Sequence, residues 1–336
     1  MSENPLQIAR TLAAEFSRTA AERDQAGGTP KAERDELRRS GLLAMKIDQQ
    51  YGGLGASWSD TLEVVREFAR VDSSIAHVFG FQHLMLATVR LFSRPEQWQP
   101  WFEQTARNNW FWGNALNPLD TRTLSKKFAA WREFSGRKSF CSGSADSEML
   151  IASALDESTR GKLLIAAIPS HRTGITLHGD WDNIGQRQTD SGSATFERVR
   201  VEENELLLDP GPLSTPFACL RPLIAQLTFV NIFLGIAEGA FEEARNYTLK
   251  EARPWSRLTS ARPVRILMSC AITANSGSDW KACACSLSAP TPCSTKPGAR
   301  STGSVPRNVA NWPWPSPLPR LPPPAPAWTS PAACLK

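Results

Sequence analysis

Residues 311 to 331 read NWPWPSPLPRLPPPAPAWTSP. Proline has a fixed φ and no backbone N–H, so such a stretch enters neither a helix interior nor a central strand. By itself it is a linker, or a polyproline II arm of the kind that SH3 and WW-type domains grip. A packed fold must therefore be built from what precedes it. The change of character begins earlier still: the last glutamate is Glu251 and the last aspartate Asp279, and proline, serine, alanine and cysteine dominate the remainder. Up to about residue 256 the chain reads as a well-formed protein, and beyond it does not.

At 336 residues the chain can hold two or three domains, and 41% apolar with 21% charged residues is ordinary globular composition. A net charge of +5 over this length gives no basic stripe for nucleic acid and no Lys/Arg run for a membrane surface. No apolar run approaches the roughly 18 to 20 residues that a membrane span needs. The N-terminus, MSENPLQIAR, lacks the layout of a signal peptide, so the expectation is a cytoplasmic protein. Of the seven cysteines only Cys141 and Cys219 precede residue 264, and all four histidines lie at or before His178, so no metal-finger spacing arises.

Ile8, Leu12, Ala13 and Phe16 stand at helical spacing in PLQIARTLAAEFSRTAAERDQ, which Gly27 and Gly28 stop. KAERDELRRSGLL gives a second helix, and Ser57 or Ser59 is placed to cap a third, DTLEVVREFARV. Further helices are expected from Ser74 to about Phe92 and from Pro95 to about Arg107. The period then changes: KSFCSG, EMLIASAL, KLLIAAIP, GITLHG and ATFERVRV are short alternating or β-branched runs, predicting an antiparallel β module. Between Arg221 and Lys250 the helical period returns, with Leu223, Leu227, Val230, Leu234, Ala237, Phe241 and Ala244 as one apolar stripe, and Pro254 ends that helix. The expected organisation is α+β and multidomain: a helical domain over 1–112, a β-barrel over 113–215, the first helix of a C-terminal bundle over 216–258, and a tail over 259–336.

A helix with so wide an apolar face needs partners, and the residues after it offer none. The genetic code suggests why. Read from the third base of each codon, with permitted codon choices, residues 265 to 286 spell DPDVMRHYGEFWVGLEGVRLL, and the segment from Asn311 spells LALAIATAKVAATRAGLDITSRM. Each proline codon fixes a shifted triplet ending in CC, which encodes Ala, Ser, Thr or Pro. The proline-rich arm is what an alanine-rich amphipathic helix looks like out of frame. The expectation is thus a frameshift between Trp255 and Arg265, a bundle truncated to about one helix, a disordered tail and impaired activity.

Three stretches carry candidate chemistry: NNWFWGNA (108–115), GRKSFCSGS (136–144) and WDNIGQRQTDSGS (181–193). Taken alone, Ser142 in Ser-Gly-Ser reads as a turn residue, His77 beside Phe79 and Phe81 equally as a core or a catalytic histidine, Cys141 as a small buried residue, Trp181 as packing and Asp190 as a turn cap. Together with YGGLGASW, HVFGFQHL, IAQLTFVNIFLGIAEGA and ARPW, however, these stretches resemble the acyl-CoA dehydrogenase superfamily from residue 5 to about 256. The branch they resemble is that of the flavin-dependent monooxygenases typified by dibenzothiophene monooxygenase. That resemblance implies an N-terminal helical domain, a middle β-barrel and a C-terminal helical bundle, in a homotetramer.

It also implies a site. FCSG stands in the place of the dehydrogenases' W-I-T-N flavin motif, making Ser142 a hydroxyl donor to the flavin and Phe140 a ring contact. Asn114, Trp181, Thr189, Asp190 and Ser191 become cofactor-pocket residues, and His77 and Phe81 become substrate-side residues, with Ser142, Asn114 and His77 catalytic. The implied reaction uses reduced FMN, or alternatively FAD, delivered by a separate flavin reductase. O2 then forms a C4a-hydroperoxyflavin that oxygenates a small, sulfur-containing substrate. ALNPLDTR replaces the dehydrogenases' T-E-P-G-A-G-S-D run, favouring the monooxygenase branch, and Phe81 replaces a tyrosine of the dibenzothiophene enzyme. A histidine that the family carries late in its C-terminal domain has no counterpart. Two other readings remain open: an FAD-dependent acyl-CoA dehydrogenase using a glutamate base, and an inactive truncated remnant or a Pro-rich adaptor that binds no flavin.

Overall fold

The computed structural model describes residues 4–159 and 161–251, and the proline-rich tail lies outside them. Six helices come first: α1 (Pro5–Phe16), α2 (Ala20–Ala26), α3 (Lys31–Arg39), α4 (Trp58–Ala69), α5 (Ser73–Phe92) and α6 (Pro95–Asn108). The first helix expected from sequence is broken at residues 17–19, where the Ser17 hydroxyl donates to the Ala14 carbonyl and competes with the helical ladder. Ser57, rather than Ser59, caps α4. Its Oγ accepts from Asp60 N at 3.1 Å while Asp60 Oδ2 accepts from Ser57 N at 3.0 Å, a reciprocal capping box. Asp72 caps α5 through Ile75 N and is also paired with Arg23 at 2.7 Å.

The helical core is set by the apolar faces that these caps orient. Phe68 sits between Phe16 and Phe79, with ring centroids 5.9 and 5.2 Å apart, and Leu37 and Ile232 close the cluster. α5 is buried along almost its whole length, because it passes between the other helices and the sheet.

Seven strands follow: β1 (Trp112–Ala115), β2 (Leu124–Lys127), β3 (Trp131–Lys138), β4 (Met149–Asp156), β5 (Leu163–Pro169), β6 (Ile175–Leu177) and β7 (Ala194–Glu202). They form one curled sheet in the order β1-β4-β2-β3-β7-β6, with β5 on the other side of β4. The expectation of a wholly antiparallel module needs correction, since β1 and β2 both pair parallel with β4, in registers Asn114↔Ile151 and Leu124↔Leu155. KSFCSG is likewise not a strand. Lys138 ends β3, and Phe140 at φ 59° and Gly143 at φ 66° turn the chain out of extended geometry.

After the sheet, α7 (Leu220–Lys250) returns across α4 and α5. Its buried side is not the stripe drawn from periodicity. Thr228, Ile232 and Gly235 face inward with Leu234, while Leu223 and Leu227 are 53% and 43% exposed. The reason is backbone approach: a side chain at Gly235 would collide with the Arg66 carbonyl and Ala69, and one at Gly239 with the Arg70 carbonyl. Glycines therefore select the face that meets α4, and Leu223 and Leu227 of the stripe are left outward. α5 and α7 do reach the length and apolarity of a membrane span, contrary to the sequence expectation, but α5 is core and α7 carries Glu238, Glu242 and Glu243.

Candidate active site

A cleft of about 610 Å³ opens between the α5–α7 pair and the loops of the β module. His77, Phe81 and Leu84 reach it from one face of α5, as spacings of four and three residues dictate. Arg221, Ala225 and Phe229 reach it from α7 by the same rule. The opposite wall is built from Asn114 on β1, Phe140 and Ser142 in the turn after β3, and Trp181, Thr189 and Ser191 in the loop before β7. The structure thus brings together every candidate site residue except Asp190.

On this wall the hydroxyls form a directed row. Thr189 Oγ1 donates to the Gln186 carbonyl at 3.1 Å and lies 2.7 Å from Ser191 Oγ, which lies 2.8 Å from Ser142 Oγ. Ser142 Oγ in turn is 3.2 Å from His77 Nε2. Each hydroxyl has one proton, and the carbonyl consumes that of Thr189. Ser191 must then donate to Thr189, Ser142 to Ser191, and His77 Nε2–H to Ser142. The imidazole carries its proton on Nε2, and its buried Nδ1 is an acceptor without a hydrogen-bond partner among the described residues.

Burial holds His77 neutral, with its pKa lowered to about 4. The nearby Gln186 side chain opposes that shift, although no bond from it to Nδ1 meets hydrogen-bond geometry. The ring stacks on Phe81 at 4.2 Å and meets the edge of Phe229 at 5.6 Å. Across the cleft Phe140, 59% exposed, stands edge-on to Trp181 at 5.9 Å, and Trp181 Nε1 donates to the same Gln186 carbonyl at 3.0 Å. Asn114 Oδ1 accepts from Leu116 N, so its amide is oriented with Nδ2 toward the Phe140 carbonyl at a loose 3.4 Å. Cys141 points into the sheet core, where burial pushes its thiol up to about 12, as expected for an inert residue.

Asp190 faces the other way. At φ 51° it turns its carboxylate out of the cleft, accepting from Thr29 Oγ1 at 2.7 Å and pairing with Arg34 Nη1 at 3.1 Å. Sequence reasoning missed Arg34. Its side chain is fully buried, lies over the Phe111 ring at 4.1 Å, pairs with Asp146 at 3.1 Å and donates to the Gly143 carbonyl at 3.1 Å. One guanidinium therefore ties the turn holding Ser142 to the loop holding Thr189 and Ser191. The available signal was its position three residues before Leu37, on the one face of α3 that is buried.

The cleft suits a flat aromatic heterocycle. It has aromatic walls, a row of hydroxyls and an amide on one side, an unpaired buried acceptor, and a volume in the usual range for ligand sites.

Residues 6–109 match the family model "Acyl-CoA dehydrogenase, N-terminal domain". Over 256 residues the chain is 79% identical to a probable FMNH2-dependent monooxygenase, SfnC, of Pseudomonas putida, covering 76% of this chain and 65% of that protein. It is 41% identical over 267 residues to the dibenzothiophene monooxygenase of Rhodococcus qingshengii, covering 75% and 64%. The chain thus spans just under two thirds of the length of these curated relatives. Among solved structures, methanesulfinate monooxygenase MsuC from Pseudomonas fluorescens superposes with a TM-score of 0.84 at 72% identity, over 85% of this chain and 74% of that one. A helical module, a curled sheet and a returning helix around this cleft, in a chain so similar to these proteins, place it in the acyl-CoA dehydrogenase superfamily, on the branch that includes dibenzothiophene monooxygenase.

Proposed function

We propose that residues 4–251 supply the cofactor wall and part of the substrate wall of a cytoplasmic monooxygenase that uses reduced FMN and O2 to oxygenate a small sulfur compound, with a separate flavin reductase delivering the FMN. The observation that carries this reading is the hydroxyl row ending on neutral His77, facing an apolar α5–α7 wall, in a chain similar to an FMNH2-dependent and a methanesulfinate monooxygenase. Bound reduced flavin supplies the activation of O2. The rest falls to the protein. Phe140 and Trp181 flank the ring, while Ser142 and Asn114 Nδ2 donate to its polar edge. To do so Ser142 must give up its bond to Ser191, so occupancy of the cleft reverses or breaks the row. His77 Nδ1 accepts from whatever donor enters, and Phe81, Leu84 and Phe229 keep water from the reacting atoms.

The remainder of the catalytic domain belongs to the shifted frame of residues 264–336, so homotetramer assembly and full turnover are assigned to the chain with its frame restored. Oxygen consumption with photoreduced FMN and methanesulfinate tests the reading. It predicts sulfinate-dependent uptake, and reduction of an electron acceptor by an acyl-CoA in its place would overturn it.

A further inference from the structure

Arg221, in the first turn of α7, is the one ionised side chain lining the cleft, and no carboxylate lines it among the described residues. Its Nε donates to Thr88 Oγ1 at 3.2 Å, and Thr88 commits its own proton to the Leu84 carbonyl at 2.7 Å. The terminal nitrogens make no further hydrogen bond among the described residues, and no acidic side chain there forms an ion pair with them. Burial lowers the guanidinium pKa to about 10, which still leaves it charged near neutral pH. Arg221 is half-buried, and cations drawn out of water are ordinarily paired, because desolvating an unpaired charge is costly. Fully buried Arg34 pairs with Asp146 and Asp190, and partly buried Arg23 pairs with Glu33 and Asp72.

We propose that Arg221 is the specificity residue of the cleft, holding the oxyanion of a small sulfinate or sulfonate through the paired N–H groups of its free guanidinium edge. This deepens the reading given under Proposed function and rests on it. Three features favour a substrate anion over the phosphate of the flavin. Arg221 lies on the α5–α7 wall, opposite the hydroxyl row and the Phe140–Trp181 pair that suit the ring. Ala225, one turn along α7, and Leu84, whose carbonyl accepts from Thr88, line the same cleft and are apolar, which suits an alkyl group beside the anion. A planar guanidinium matches two oxygens on one sulfur, a geometry that a lysine ammonium does not reproduce.

The test is a binding titration of methanesulfinate, read by calorimetry without turnover, on the wild-type chain, Arg221→Gln and Arg221→Lys. Neutral dimethyl sulfoxide serves as the control ligand, and FMN is compared with riboflavin. Arg221→Gln is expected to weaken methanesulfinate about tenfold or more. Arg221→Lys recovers part of that loss, and dimethyl sulfoxide and the FMN-to-riboflavin affinity ratio stay unchanged. Melting temperature does not fall in Arg221→Gln, because an uncompensated charge has been removed. Equal methanesulfinate affinity in wild type and Arg221→Gln overturns the proposal. So does a selective loss of FMN over riboflavin, which would assign the guanidinium to the cofactor phosphate. A frame-restored chain that binds sulfinate through Arg221 yet inserts no oxygen upholds this inference and overturns only the proposed reaction.

Discussion

His77 Nε2 lies 3.2 Å from Ser142 Oγ, and the direction of that bond is dictated at the far end of a row of hydroxyls, where Thr189 gives its proton to the Gln186 carbonyl. Two residues separated by 65 positions in sequence thereby share one fixed proton arrangement. Ser142→Ala removes both the acceptor for His77 and the donor assigned to the flavin. Loss of a single well-placed donor costs about a hundredfold or more in turnover. We expect that loss in kcat, with flavin affinity changed much less. Comparable kcat in Ser142→Ala and wild type would show that the row is structural only.

The same burial makes stability pH-dependent. His77 and His83 are both held neutral by desolvation, with pKa values of about 4 and about 3 against 6.5 when unfolded, and Lys46 adds to the effect on His83. The unfolded chain binds these protons first, so the contribution is fully present above about pH 6.5 and is lost as pH falls through about 4 and then 3. Neither nitrogen of His83 has a hydrogen-bond partner among the described residues. His83→Leu should therefore flatten the fall in unfolding free energy, read by denaturant titration, between pH 7 and pH 4.5, by an amount on the order of 1–3 kcal/mol. An unchanged slope in that variant contradicts the assignment.

Arg34 joins α3 to both loops of the hydroxyl row, so its loss should be felt in stability and in the site together. Arg34→Met leaves Asp190 without its ion-pair partner, while Asp146 keeps Arg38 at 2.6 Å, and breaking a buried pair costs about 3–5 kcal/mol. Thermal melting should show the loss directly, and Asp190→Asn should show a smaller one, since Asp146 still pairs with Arg34. If Arg34→Met melts like wild type, the two loops are held by something else.

Much of this fold was legible because helices announce themselves locally. Ser57, Asp60 and the apolar spacing of Val64, Val65 and Phe68 specify α4 without outside help. The sheet was less legible: WGNA in β1 is buried at every position and too short to show a period, and its parallel pairing with β4 is fixed by chain connectivity. The face of α7 misled for a physical reason, because periodicity weighs leucines, whereas Gly235 and Gly239 decide which side can approach α4. In the site, His77, Asn114, Ser142, Thr189 and Ser191 could be named from motifs. The role of Asp190 could not, since a left-handed backbone at one residue reverses where its carboxylate points.

The proposed frameshift has its own test. Resequencing the coding DNA from codon 250 to beyond codon 336 should reveal a one-base correction that opens a frame through RHYGEFW to a histidine-containing C-terminus. A chain made in that frame should bind FMN stoichiometrically, where the present chain, with Leu223, Leu227 and Phe233 exposed on α7, binds it weakly. An unchanged reading frame, or a soluble tetramer of the present chain with a full complement of FMN, contradicts this part of the account.

The most direct measurement of the central claim is isotopic. The chain is incubated with reduced FMN, methanesulfinate and 18O2, and the product is analysed by mass spectrometry. Because the label is counted per molecule of product, a low yield does not alter the answer. The account predicts one atom of 18O in each molecule of sulfonate formed, and far less product from Ser142→Ala. Sulfonate whose new oxygen comes from water, or an acyl-CoA oxidised with no oxygen incorporated, would contradict it.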